Sequence, residues 1–175
     1  MIHINPGRPG TNEYGAYYAS YIARVPDGDI CDQIAQQLDA FCALLTPLSV
    51  EQTIFRPKPD DWNILEVIGH IADGERVFAY RALRIARSDG TPLASFDQDL
   101  FVANGNFSNR TLADLLEEFV TVRRAILSLL RSFSAEAWLR RGTASDNPIS
   151  VRALAYIIAG HELHHVADFR QRYNI

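Results

Sequence analysis

The sequence predicts an all-α protein, a four-helix bundle carrying an irregular N-terminal arm. Two observations support this. Four long segments repeat apolar residues at helical spacing, each behind a residue able to cap a helix. No segment alternates apolar and polar residues as a half-buried strand would. The 175 residues suffice for one domain with a sizeable core, and 47% hydrophobic against 22% charged residues is ordinary for a globular chain. No internal repeat, low-complexity run or domain-scale linker interrupts it.

The arm, residues 1–28, is rich in proline, glycine and tyrosine. Pro6, Pro9 and Pro26 argue against a long regular helix at its ends. Tyr14, Tyr17, Tyr18 and Tyr21 are expected to pack it on the bundle; the sharper alternative is that one of them overhangs a metal pocket, since a phenol both packs and donates a hydrogen bond. The bundle domain then spans residues 29–175. Its first helix is expected from Ile30 to Leu45, capped by Asp29, with Ile30, Ile34, Leu38, Phe41 and Leu45 as the core stripe. Pro47 ends it, and a connector runs to Asp61 with one short turn capped by Ser49.

Asn63 and Glu66 form a capping box, and the second helix is expected to reach Ser88, where Asp89-Gly90 stops it. Its stripe is Ile64, Ile68, Ile71, Ala79, Ala82 and Ala86. Glu75 falls inside that stripe and needs a partner: an arginine from another helix, or a histidine that it orients. Residues 89–110 read as a long irregular loop, a length that is often functional. A third helix from Leu112 to about Phe133 is capped by Thr111. After a short turn at 134–138 and a polar loop at 140–148, Ser150 caps a last helix, Val151 to Tyr173.

That last helix carries Gly160-His161-Glu162-Leu163-His164-His165. Side chains four apart share a helix face, about 5–6 Å apart at Cβ, so His161 and His165 can grip one divalent metal. Val151, Leu154, Ile157, Ile158 and Phe169 lie on the same side and turn that face into the apolar interface. The run also fits the zinc-protease pattern H-E-x-x-H, but the extended H-E-x-x-H-x-x-G-x-x-H form is absent. Asp168 lies one turn on, along the same helix, and is a poor separate arm for a tetrahedral site. A third ligand is therefore sought upstream, at His3 in the arm or, preferably, at His70 in the second helix, where Gly74 leaves room one turn on. His164 lies about 100° round the helix from His165 and falls off the site. Glu162 is the nearest candidate for a catalytic base, with a solvated surface residue as the plain alternative.

A net charge of −4 and a single lysine, Lys58, give no basic stripe for nucleic acid. No apolar run is long enough to span a membrane and no signal peptide is recognisable, so a cytoplasmic location is expected. Cys31 and Cys42 share the first helix, roughly 16 Å apart along its axis. They are expected to be reduced and unpaired.

Trp62-Asn63, Gly69-His70-Ile71-Ala72-Asp73 and Gly160-His161-Glu162-Leu163-His164-His165, in this order and separation, resemble the DinB/YfiT-like superfamily. The segments around Phe96-Asp97-Gln98-Asp99, Arg110-Thr111-Leu112 and Val25-Pro26-Asp27-Gly28-Asp29 resemble one DinB-like branch. The resemblance covers nearly the whole chain. It implies an up-down-down-up bundle, often a homodimer, holding one divalent metal through three histidines, here His70, His161 and His165. The superfamily includes metal-dependent hydrolases and low-molecular-weight-thiol transferases or isomerases. The expected ion is zinc or nickel, with iron and manganese as alternatives. It would activate water toward a small-molecule substrate, or an external small thiol for transfer. The alternative is a non-catalytic metal-binding or interaction module.

Overall fold

A computed structural model describes residues 4–173 and 175. Its helices are α1 (Ala19–Arg24), α2 (Ile30–Leu45), α3 (Val50–Ile54), α4 (Ile64–Ala86), α5 (Gln98–Asn104), α6 (Leu112–Arg131), α7 (Ala135–Leu139) and α8 (Val151–Arg172). The four long ones, α2, α4, α6 and α8, form the bundle. Asp29, Asn63, Thr111 and Ser150 each cap one of them, accepting from backbone N–H groups that the first turn leaves open.

Side-chain contacts give the topology. α2 packs on α6 and α8, and α4 packs on the same two, so α2 and α4 lie diagonally. Arg123 reaches Ile34 and Gln37 of α2, whereas Phe119 stacks on Phe41, so α6 runs against α2. Gln37 meets Ala159 and Phe41 meets Phe169, so α8 runs with α2. The start of α4 shares its core with Leu115, Leu116 and Phe119, and its end with Val122 to Leu130, so α4 runs with α6. The expected up-down-down-up order follows, and the connection between α4 and α6 has to recross the length of the bundle.

That connection, residues 89–110, was expected to be irregular. It contains α5, capped by Asp97, and a 3-10 turn at Phe107–Asn109. Only Val102 of α5 is buried, so no periodic stripe announces the helix. The expected polar loop at 140–148 is also corrected. Residues Arg141–Ala144 (β1) and Asn147–Ser150 (β2) pair antiparallel, with Arg141 opposite Ser150 and Ala144 opposite Asn147. Their turn places Ser145 and Asp146 at φ 51° and 60°, left-handed values suited to a tight hairpin. Leu93 bridges to Ala144 and ties the start of the connection to this hairpin.

The arm carries 3-10 turns at Thr11–Glu13 and Ala16–Tyr18, and then α1, which lies across α8. Arg152 of α8 pairs with the buried Glu13 through Nε at 2.8 Å and NH2 at 2.5 Å. Covered in this way, residues 153–162 of α8 are buried all round, as in a central helix with no solvent face.

Candidate metal centre

α4 and α8 run antiparallel, which brings His70 of α4 opposite His161 and His165 of α8. His70 Nε2 lies 3.0 Å from His161 Nε2, and His165 Nε2 lies 3.1 Å from it. All three Nε2-bearing rings offer a ligand atom within 4.8 Å of one another. The rings stand nearly perpendicular, at 76°, 78° and 84°, with centroids 4.7–5.1 Å apart. A tetrahedral ion with metal–nitrogen bonds of about 2.0–2.1 Å sets its ligand nitrogens roughly 3.3 Å apart. The two spacings to His161 therefore need only slight opening to admit one.

The donor chemistry agrees. Burial holds the pKa of His70 down to about 4 and those of His161 and His165 well below the ordinary histidine range. All three rings are thus neutral at pH 7, with a lone pair to give. The buried His161 Nδ1 has no hydrogen-bond partner among the described residues. The residues therefore fit a divalent ion held by three Nε2 atoms.

His164 lies outside that group, though its ligand atom falls within 4.8 Å of those of His165 and Asp168. Its ring pairs loosely with Asp168, Nε2 to Oδ2 at 3.6 Å, and lies 5.2 Å from the Tyr21 ring. His3 lies outside the described residues. Gly74 does leave room, though for the histidine opposite: a Cβ there would sit 3.3 Å from His161 Cε1. Tyr21 is the arm tyrosine that overhangs the site, 5.5 Å from the His161 ring. Trp62 packs on His70 at 4.8 Å. His165 opens onto a cleft of about 280 Å³, whose walls include Trp62, Asp99, Asp168 and Arg172.

Beneath the triad lies a buried charge network. Arg123, 0% exposed, pairs with Glu75 in a two-point contact, Nε to Oε2 at 3.0 Å, and with Glu162 Oε2 at 2.6 Å. It also donates to the Ile34 carbonyl at 3.3 Å and to Gln37 at 3.4 Å, so it touches all four bundle helices. Glu75 thus has the arginine partner it required. Glu162 is 2% exposed, not solvated, and burial raises its pKa to about 7 against the pull of Arg123. Arg123 was missed in the sequence, although Phe119, Arg123, Ile126 and Leu130 repeat at core spacing and Glu75 called for a cation.

The sequence profile of the DinB superfamily matches residues 33–169. Among curated proteins, none matches. The structure of YfiT from Bacillus subtilis, described as a probable metal-dependent hydrolase with an unusual four-helix bundle topology, superposes with a TM-score of 0.71. The two are 14% identical over 96% of this chain and 95% of that one, a likeness of fold. Since the profile spans both the α4 and the α8 histidines, this chain belongs to the DinB superfamily.

Proposed function

We propose that the protein is a metal-dependent hydrolase acting on a small molecule, with His70, His161 and His165 holding one divalent ion, zinc or nickel before iron or manganese. The observation that carries this reading is the convergence of three neutral Nε2 atoms, with no fourth donor in their group among the described residues, beside an open cleft. Three histidines with one position left over are the ligand set of a catalytic site, whereas structural zinc is closed by four protein ligands. The non-catalytic alternative would require that fourth side chain. A divalent ion held there supplies Lewis acidity, polarising a carbonyl and lowering the pKa of water or of a thiol.

The chain's own residues do the rest. Trp62 and Tyr21 hold the His70 and His161 rings against rotation. His165 presents the site to the cleft, where substrate and water enter. We assign Glu162 to the network with Arg123 and Glu75 rather than to proton transfer, because Arg123 engages its carboxylate in the core. Because burial raises Glu162 to about 7, that carboxylate is only partly ionised at pH 7, and the network carries at most one net negative charge toward a cation above it.

Transfer to an external low-molecular-weight thiol is the finer alternative for the same site. Such a thiol would come from outside, because burial pushes Cys31 up to about 12 and raises Cys42 as well. No helix among the described residues is long and apolar enough to cross a membrane. A cytoplasmic homodimer that binds no nucleic acid belongs to the same proposal, and light scattering tests the dimer. Elemental analysis of tag-free protein tests the core of the reading. One ion per chain is expected, together with cleavage of an activated ester that chelation abolishes. Protein without stoichiometric metal would overturn it.

A further inference from the structure

The triad has a second flank. Tyr17, Tyr18, Tyr21, Phe78 and Phe96 line a cavity of about 250 Å³, separate from the cleft beside His165. Their rings meet edge to face: Tyr17 on Tyr18 at 5.3 Å and 81°, Tyr18 on Phe78 at 6.1 Å and 86°, Phe78 on Phe96 at 6.5 Å and 75°. This is the arrangement aromatic rings prefer among themselves, and it offers one more ring the same contacts. A cavity of about 150 Å³ already holds benzene. The space here takes a single aromatic ring with a short substituent.

Its electrostatics narrow the ligand further. Among the described residues no carboxylate lines the cavity. A cation stands behind the wall: the buried Arg81 has its guanidinium 5.8 Å from the Phe96 ring and donates to the Ala94 carbonyl at 2.7 Å and to Ser145 Oγ at 3.0 Å. A positive charge behind the wall opposes a quaternary ammonium guest, which aromatic cages otherwise favour. The guest is therefore neutral or anionic. Gln98 and Ser145 are the polar lining groups available to a substituent. The walls are preformed, since the hairpin of β1 and β2 fixes Ser145 and, through the Leu93 bridge, the strand-like run leading to Phe96.

The cavity and the metal cleft adjoin. Tyr21 and Phe78 of the cavity wall also pack on His161, at 5.5 and 6.0 Å. Consecutive residues in the first turn of α5 face the two spaces, Gln98 the cavity and Asp99 the cleft. We infer that the aromatic cavity is the specificity pocket for a neutral or anionic aryl group of the substrate, held beside the His70–His161–His165 site. The assignment of that aryl group to a substrate rests on the hydrolase reading. The binding of a ring does not.

The test is an amide-resolved NMR titration of tag-free protein with phenylacetamide, run both metal-free and zinc-loaded. Saturable shifts are expected around Tyr17–Tyr21, Phe96 and Ser145. Binding should weaken at least tenfold in Phe96→Ala. Phe96→Leu, which keeps apolar bulk and guards against unfolding, should weaken it less. Benzyltrimethylammonium should bind more weakly than phenylacetamide. Shifts that do not saturate, shifts confined to the outer groove of Tyr80, Leu83 and Leu129, or affinity unchanged in both variants would overturn the pocket. Ring binding in a protein that takes up no zinc would sink the hydrolase reading and leave the pocket standing. Zinc uptake without ring binding would overturn the pocket alone.

Discussion

Gly160 lies directly against the backbone of Tyr21: a Cβ on Gly160 would stand 2.1 Å from the Tyr21 carbonyl oxygen. This close approach lets α1 cross α8 and sets the Tyr21 ring over His161. Backbone cannot yield as a flexible side chain can. Gly160→Ala should therefore push α1 off α8 at a cost of about 1–3 kcal/mol, as overpacking does. The thermal midpoint should fall while the zinc content stays near one, because α4 and α8 carry the ligands and α1 carries none. An unchanged midpoint would show that the crossing is looser than the structure has it.

The neighbouring histidines separate by role. In His165→Ala two imidazoles remain, and stoichiometric zinc should be lost on dialysis. In His164→Ala it should be kept, since His164 faces Asp168 and Tyr21. Equal retention in both variants would refute the triad. Acid should release the ion, because protonated imidazole cannot ligate. Burial depresses His70 to about 4 and holds its two partners well below 6.5. Zinc should accordingly stay bound through pH 6 and leave only as the pH falls further, which a pH series of bound zinc after gel filtration would show.

What could be read in the sequence depended on whether the signal was local. Asp29, Asn63, Thr111 and Ser150 cap their helices as expected, because a cap is decided by one side chain and the next three residues. The histidine pair was legible because four-residue spacing alone brings two side chains together, and His70 because it lies on a strongly helical segment. The hairpin at 141–150 was not. Its strands are four residues each, Pro148 weakens the pattern, and Ser145-Asp146 makes its turn in place of the usual Asn-Gly. Arg123 stayed hidden because a charged residue at a core position is intelligible only once the carboxylates from two other helices arrive beside it.

Glu13 anchors the arm, pairing with Arg152 at 2.5 Å and lying 3.7 Å from Arg141. Hydrogen bonds from Arg152 lower the pKa of Glu13 to about 2, and the Gly10 amide adds to them. A carboxylate with a depressed folded pKa contributes stability above its unfolded pKa and loses it as the pH falls toward the folded one. The window here is about pH 4.5 down to 2. The shift corresponds to at most roughly 3 kcal/mol. Glu13→Gln should cost a good part of that at pH 7 and little at pH 2.5, so urea unfolding curves of variant and parent should converge on acidification. A constant gap between them would mean that the pair contributes through packing alone.

Arg123 offers the sharpest division between holding the fold and tuning the site. Removing it in Arg123→Met leaves Glu75 and Glu162 buried without a cation, a change that typically costs about 3–5 kcal/mol. Neutralising all three, as Glu75→Gln, Arg123→Met and Glu162→Gln together, removes the uncompensated charges, so most of that stability should return, because well-packed neutral replacements of buried ion pairs are often near neutral. The site should not recover with it. The triple variant keeps His70, His161 and His165 but loses the partial negative charge and the charged hydrogen bonds beneath them, and zinc should bind roughly tenfold more weakly or worse. Urea unfolding and competitive zinc titration on the same samples read the two effects apart. Restored stability with unchanged zinc affinity would reduce the network to a structural clamp, whereas restored stability with weakened affinity identifies it as the charge that complements the ion.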